Sequence, residues 1–201
     1  MSFSDVLGAV SILLAVIGYA PYLWATMRGS IRPHAFSWLI WGISNAIAFA
    51  AQSVEGAGAG AWVTGTTAIL CFLVAMCAFF RAGEKDIHRS DWISFAGAIF
   101  AALIWVMTDN PLLSIIVVTL IDALGFYPSF RKGWNKPGED MIFPFACASL
   151  KFGLAIAAMD SLSASTLLFP VYQVAMNAGF AGMILMRRHA LKASAAPART
   201  R

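Results

Sequence analysis

The chain has 201 residues, of which 60% are hydrophobic and 12% charged, with a formal net charge of +4 and a mean hydropathy of +0.75. Soluble domains carry about 25% charged residues, so the composition excludes an ordinary soluble domain and points to an integral membrane protein. A span needs about 20 apolar residues, which leaves room for one compact helical bundle and none for a separate soluble domain.

The apolar runs predict seven spanning helices, at 4–27, 34–53, 61–80, 91–107, 111–130, 141–159 and 165–187. No basic region or small-residue cleavage pattern precedes the first run, so it reads as a helix and not a signal peptide. Pro33 and Pro111 fall at first-turn positions, where a missing N–H is harmless. Asn110 and Ser90 or Asp91 are N-cap candidates. Gly56-Ala-Gly58-Ala-Gly60 predicts a turn between helices 2 and 3, so its GxxxG spacing lies outside a span and marks no dimerisation face. Trp92 and Trp105 bracket helix 4 as interface anchors.

The basic residues assign an orientation. Arg28, Arg32, Arg81, Lys85, Arg89, Arg131, Lys132, Lys136, Arg187, Arg188, Lys192, Arg199 and Arg201 all fall on one side of this topology. The other side holds Asp5, Glu55, Asp109 and Asp160. The positive-inside rule then predicts an external N-terminus and a cytoplasmic C-terminus in a bacterial-type inner membrane. The basic tail would meet anionic lipid, and nothing favours nucleic acid. Cys71, Cys77 and Cys147 lack metal-site spacing and read as free thiols, and His34, His88 and His189 are far apart in sequence. No metal or cofactor is expected.

The two ends of the chain match at a constant offset of 107 residues. Gly18-Tyr-Ala-Pro21 aligns with Gly125-Phe-Tyr-Pro128, each followed by a basic turn, and Phe36 aligns with Phe143. The expected fold is an all-α membrane protein of seven transmembrane helices. It comprises two parallel three-helix repeats, at 1–81 and 111–188, a linker helix within 82–110, and a basic tail at 189–201. Parallel repeats in a transporter place the site at their interface near the midplane.

This plan, with Pro21 and Pro128 in the first helix of each repeat and Asn177-Ala-Gly179-Phe-Ala-Gly182 in the last, resembles the PQ-loop superfamily and its SWEET (MtN3/saliva) transporters. Trp38-x-x-Trp41-x-x-x-Asn45 is similar to the Trp- and Asn-rich helices of PnuC-type vitamin transporters. The resemblance implies alternating access, with Asn177 as a substrate ligand. Two departures stand out: Tyr22 and Ser129 follow the paired prolines where the family name requires Gln, and Leu70 stands opposite Asn177.

The candidate site residues are Trp41, Asn45, Asp122, Lys151, Gln173 and Asn177. At 1.5 Å per residue Asp122 and Lys151 each lie about 15 Å deep, where ionisable groups are rare and functional by default. They are expected to pair at the midplane as a substrate or proton site; the competing explanation is a structural ion pair. In the other repeat Ala15 and Ser44 occupy their places. Trp38, Trp41, Asn45 and Gln52 share one side of helix 2 and predict a cavity wall, the alternatives being an interface position for Trp38 and the outer surface for Gln52. Gln173 and Asn177 share a face of helix 7, where Ala175, Ala178, Gly179 and Gly182 suit close packing. Pro21 and Pro128 are expected hinges, with static kinks as the alternative.

The expected function is small-solute transport, possible proton coupling included, with a polar, anionic or zwitterionic solute, lipid neighbours, and a monomer or homo-oligomer. A non-transporting membrane receptor or partner protein is the second reading. An enzyme is not expected, because no span holds a nucleophile with a base at usable spacing.

Overall fold

The computed structural model describes residues 2–82, 88–107 and 110–195. Lys85, Asp109, Arg199 and Arg201, and the side chains of Arg81, Ser90, Asp91 and Trp105, lie outside the described residues.

Among the described residues seven α-helices are found: α1 (Phe3–Met27), α2 (Ala35–Val54), α3 (Ala59–Cys77), α4 (Arg89–Val106), α5 (Pro111–Asn135), α6 (Phe143–Ala157) and α7 (Ala164–Ala195). Among the described residues four stretches, Phe3–Met27, Ala59–Phe80, Leu112–Asn135 and Ala164–Ser194, are long and apolar enough to cross a membrane.

Local chemistry sets the ends. Ser2 and Asp5 form a reciprocal capping box on α1. Asn110 accepts the Leu113 N–H at 3.1 Å, with Pro111 in the first turn of α5. Pro33 precedes the cap His34 and so lies one position outside α2, not in its first turn. Pro144, expected inside helix 6, falls in its first turn because α6 begins at Phe143. The turn between α2 and α3 holds Gly56 and Gly58 at φ of 73° and 59°, conformations that L side chains rarely adopt. Two helices outrun their predictions. α5 continues to Asn135 and α7 to Ala195, because Arg, Lys, Ala and Leu extend a helix readily beyond its apolar stretch.

Packing is reciprocal. α1 lies against α3 and α6, and α5 lies against α7 and α2. α2 packs on α3, and α6 on α7, while α4 covers α5 and touches α2. Gly18 lets α1 approach α6 so closely that an added Cβ would sit 2.8 Å from Cys147 Cβ. Gly125 does the same for α5 and α2, where a Cβ would sit 2.9 Å from Trp41 Nε1 and 3.0 Å from Ile40.

The loops meet at two ends of different charge. Arg32, Lys132, Asp140 and Arg188 interlock at one end. At the other, Ser165 donates to Glu55 at 2.9 Å and the Asp160 N–H reaches Ala57 O at 3.5 Å.

The surface between these ends is apolar: Leu13, Ile69, Phe72, Met76, Leu120 and Leu150 are among many exposed hydrophobics. The polar side chains are inside, and Ser44, Asn45, Gln52, Thr67, Asp122, Lys151, Gln173 and Asn177 are all buried. Soluble proteins have the opposite arrangement.

Candidate functional site

The inward faces of α1, α2, α3, α5, α6 and α7 enclose a central cavity. Its walls include Trp41 and Asn45 of α2, Thr67 and Cys71 of α3, and Gln173 and Asn177 of α7. About 20 Å³ is open to the centre of a water molecule, which is space for a water and not yet for a metabolite.

Helical spacing explains who lines it. Trp38, Trp41, Asn45 and Gln52 recur at 3-, 4- and 7-residue steps, so one face of α2 turns inward. Trp38 is buried beneath the cavity and is not an interface anchor. Gln52 is also fully buried, which rules out the outer surface. Ala175, Ala178 and Gly179 are exposed, and Gly179 and Gly182 have nothing within 4 Å of an added Cβ. The small face of α7 therefore looks outward and does not pack inside the bundle as expected.

Asp122 and Lys151 do not form the expected pair. Among the described residues neither has an oppositely charged group at ion-pair distance. Asp122 Oδ1 accepts from Ser44 Oγ at 2.7 Å and Gln173 Nε2 at 3.3 Å. Lys151 Nζ donates to Thr67 Oγ1 at 2.6 Å and lies 4.8 Å and 4.9 Å from the Tyr19 and Phe152 ring centroids. The reason is topological. Helix α5 packs on α2 and α6 packs on α1, so equal depth does not make α5 and α6 neighbours. Both charges are fully buried.

Several buried polar atoms in and behind the cavity wall lack a close hydrogen-bond partner: Trp41 Nε1, Asn45 Oδ1, Asp122 Oδ2 and the Tyr172 hydroxyl, which lies beside the Asp122 carboxylate. Leaving such a group unmet costs about 1–3 kcal/mol. They comprise an N–H donor, two acceptor oxygens and a hydroxyl able to serve as either. Asn45 Nδ2 donates to Trp41 O at 2.8 Å, and Asn177 Nδ2 donates to Gln173 O at 2.8 Å and Oε1 at 2.9 Å. These bonds hold both amides at fixed angles to the cavity. No group of three or more His, Cys, Asp or Glu side chains suited to a metal occurs among the described residues.

Toward the basic end an aromatic layer closes the cavity. Tyr22 and Trp38 ring centroids are 4.9 Å apart, Trp41 and Phe126 4.6 Å, and Phe145 and Phe180 4.5 Å. Below it, Tyr22 OH donates to Asp140 Oδ1 at 2.9 Å, and Lys132 Nζ lies 3.7 Å from Asp140 Oδ2. Lys132 also donates to the Arg32 carbonyl, and Arg188 to the Asp140 carbonyl and to Pro137 O. Burial lifts the Asp140 carboxyl above its ordinary range, against the pull of Lys132 and Tyr22. Every one of these contacts except Asp140 with Lys132 and with its own loop spans helices distant in sequence.

Sequence reasoning missed Thr67, Tyr19 and this Asp140 cluster, and placed Ser44 at the edge of the helix 2 stripe, as the uncharged counterpart of Lys151, without giving it a contact. It also missed Pro170 inside α7, although Pro21 and Pro128 do fall inside α1 and α5. A Thr in an apolar helix gives no signal of its own, and the Asp140 contacts come from loops that sequence spacing does not bring together.

No family model matches the chain, and searches of characterised proteins and of solved structures find no match.

Proposed function

We propose that the chain is a small-solute transporter of the inner membrane, with its N-terminus outside and its C-terminus in the cytoplasm. Its seven helices span the membrane as two parallel three-helix repeats joined by α4. The reciprocal packing supports the repeats: under the 107-residue offset, the α1–α6 contact at Gly18 and Cys147 maps onto the α5–α2 contact at Gly125 and Ile40. The apolar girdle and the separation of acidic from basic loop ends support the spanning reading.

One observation carries the function. A polar cavity lies at the junction of the two halves, and its wall holds a buried donor, Trp41 Nε1, and a buried acceptor, Asn45 Oδ1, that the protein leaves unmet. A stable fold satisfies its buried polar groups, so these atoms are matched to something that enters. Rocking of the halves around the cavity, with bending at Pro21 and Pro128, would open it to one side at a time. The aromatic layer and the Asp140 cluster are the closed gate on the cytoplasmic side.

The test is thermal melting of the purified protein against a panel of polar metabolites. A ligand that binds only the native state raises the melting temperature. A shift lost in Asn45→Ala and Asn177→Ala supports the cavity as the site. Shifts that persist in both variants, or a protein that responds only to changes in its cytoplasmic loops, would move the reading to a receptor.

A further inference from the structure

We infer that the cavity takes a small zwitterion, an amine-bearing carboxylic acid, with its ammonium directed at Asp122 and its carboxylate at Lys151. This rests on the transporter reading above and names the class of solute.

The two charges are fully buried and do not meet. Asp122 uses one carboxylate oxygen on Ser44 and Gln173, and the Tyr172 hydroxyl lies beside the carboxylate without a close bond to its other oxygen. What surrounds it is neutral. Lys151 has three ammonium protons, and around it stand one hydroxyl, that of Thr67, two ring faces and the Cys71 and Cys147 thiols. Ring faces favour a cation but accept poorly. A carboxylate is therefore missing from the surroundings of Lys151, and a cation from those of Asp122.

Both charges stand directly behind the same cavity. Thr67, Tyr19 and Phe152, the neighbours of Lys151, line it, and so does Gln173, the neighbour of Asp122. The charges approach from different walls, Asp122 on α5 against α2 and α7, Lys151 on α6 against α1 and α3. A bipolar solute lying between them completes both shells, and its body meets the amides of Asn45 and Asn177. A solute with one charge completes one shell and leaves the other charge buried and unmet. A neutral solute completes neither.

The experiment uses glycine, β-alanine and 4-aminobutyrate as a ruler of charge separation. Their carboxamides and N-acetyl derivatives serve as single-charge controls, with glycerol, myo-inositol and glucose as neutral ones. Affinities are measured on the purified full chain by thermal shift and by isothermal titration. At least one ruler member is expected to bind, with its carboxamide and N-acetyl forms weaker by about 10- to 150-fold, the factor for one charge-assisted bond. In Lys151→Gln the acid and its carboxamide should bind within about 3-fold of each other, and in Asp122→Asn the amine and its N-acetyl form should do so. Should either variant fail to fold, the wild-type series decides alone. Derivatives that bind within about 3-fold of their parents, or binding confined to neutral or singly charged probes, overturn the zwitterion and leave the transporter standing. Absence of binding by every probe overturns both.

Discussion

Tyr22→Phe removes one hydroxyl from the seal below the cavity and leaves the rest in place. The ring keeps its packing on Trp38 and Phe145, at 4.9 and 6.4 Å between centroids. Asp140 Oδ1 loses one of two donors, the hydroxyl at 2.9 Å, and keeps the Met141 N–H at 3.0 Å. A hydrogen bond to a charged group is worth about 1.5–3 kcal/mol. If the bond exists only in the closed state, its loss raises the open population by about 10- to 150-fold. Cys71 reports on that population, because it lines the cavity and is only 1% exposed. In a background with Cys77→Ser and Cys147→Ser, a water-soluble maleimide added from the basic side should label Cys71 faster by that factor.

The same variant carries a pH signature. Burial raises the Asp140 carboxyl above its usual value of 3.8. A raised carboxyl favours the protonated form in the closed state. Its contribution to closure is therefore fully present below 3.8 and is lost as pH rises through the raised value. Acidification also turns the Tyr22 bond into a neutral one, worth about 0.5–1.5 kcal/mol. The ratio of variant to wild-type labelling should then fall to about 2- to 12-fold; taking the ratio cancels the protonation of the thiol itself. A ratio near unity at neutral pH, with a lowered melting temperature, would refute the gate and leave the hydroxyl a role in the fold alone.

Lys151→Met keeps most of the buried stem and removes a charge that no carboxylate offsets. Melting should show a neutral to stabilising effect of up to about 4 kcal/mol, while solute binding is lost; a strongly destabilised variant would make Lys151 structural. Thr67→Val should destabilise by about 1.5–3 kcal/mol in wild type, because the ammonium loses its oxygen partner, and by much less in the Lys151→Met background, as a double-mutant cycle would report. Gly125→Ala forces α5 away from Trp41 and should cost about 1–3 kcal/mol and weaken solute binding. Gly179→Ala, with open space around it, should change neither.

The helices were legible in the sequence because apolar runs, Asn110 with Pro111, and the glycines of the 56–60 turn are local signals. Burial was legible too: Asp122 and Lys151 are both fully buried. Their neighbours were not. Depth comes from counting residues along one helix, whereas pairing depends on which helices touch, and α5 chose α2 rather than α6. The 107-residue offset held that information in part, since it makes Ser44 the counterpart of Lys151, and Ser44 is what meets Asp122. That Trp41, Asn45, Gln173 and Asn177 line one cavity was legible because amides and indoles at helical spacing mark one face. The outward turn of Gly179 and Gly182 was missed because small residues suit a helix contact and a lipid-facing surface equally well. Asp140 was invisible because its partners, Tyr22, Lys132 and Arg188, come from α1, α5 and α7.

The central claim is that the cavity carries solute across the membrane. Uptake into proteoliposomes, with the probe that gives the largest thermal shift, tests it most directly. We predict saturable uptake that is abolished in Asn177→Ala and Lys151→Met and retained in Gly179→Ala. Uptake no greater than in protein-free vesicles, or saturable uptake that survives both cavity substitutions, would contradict it.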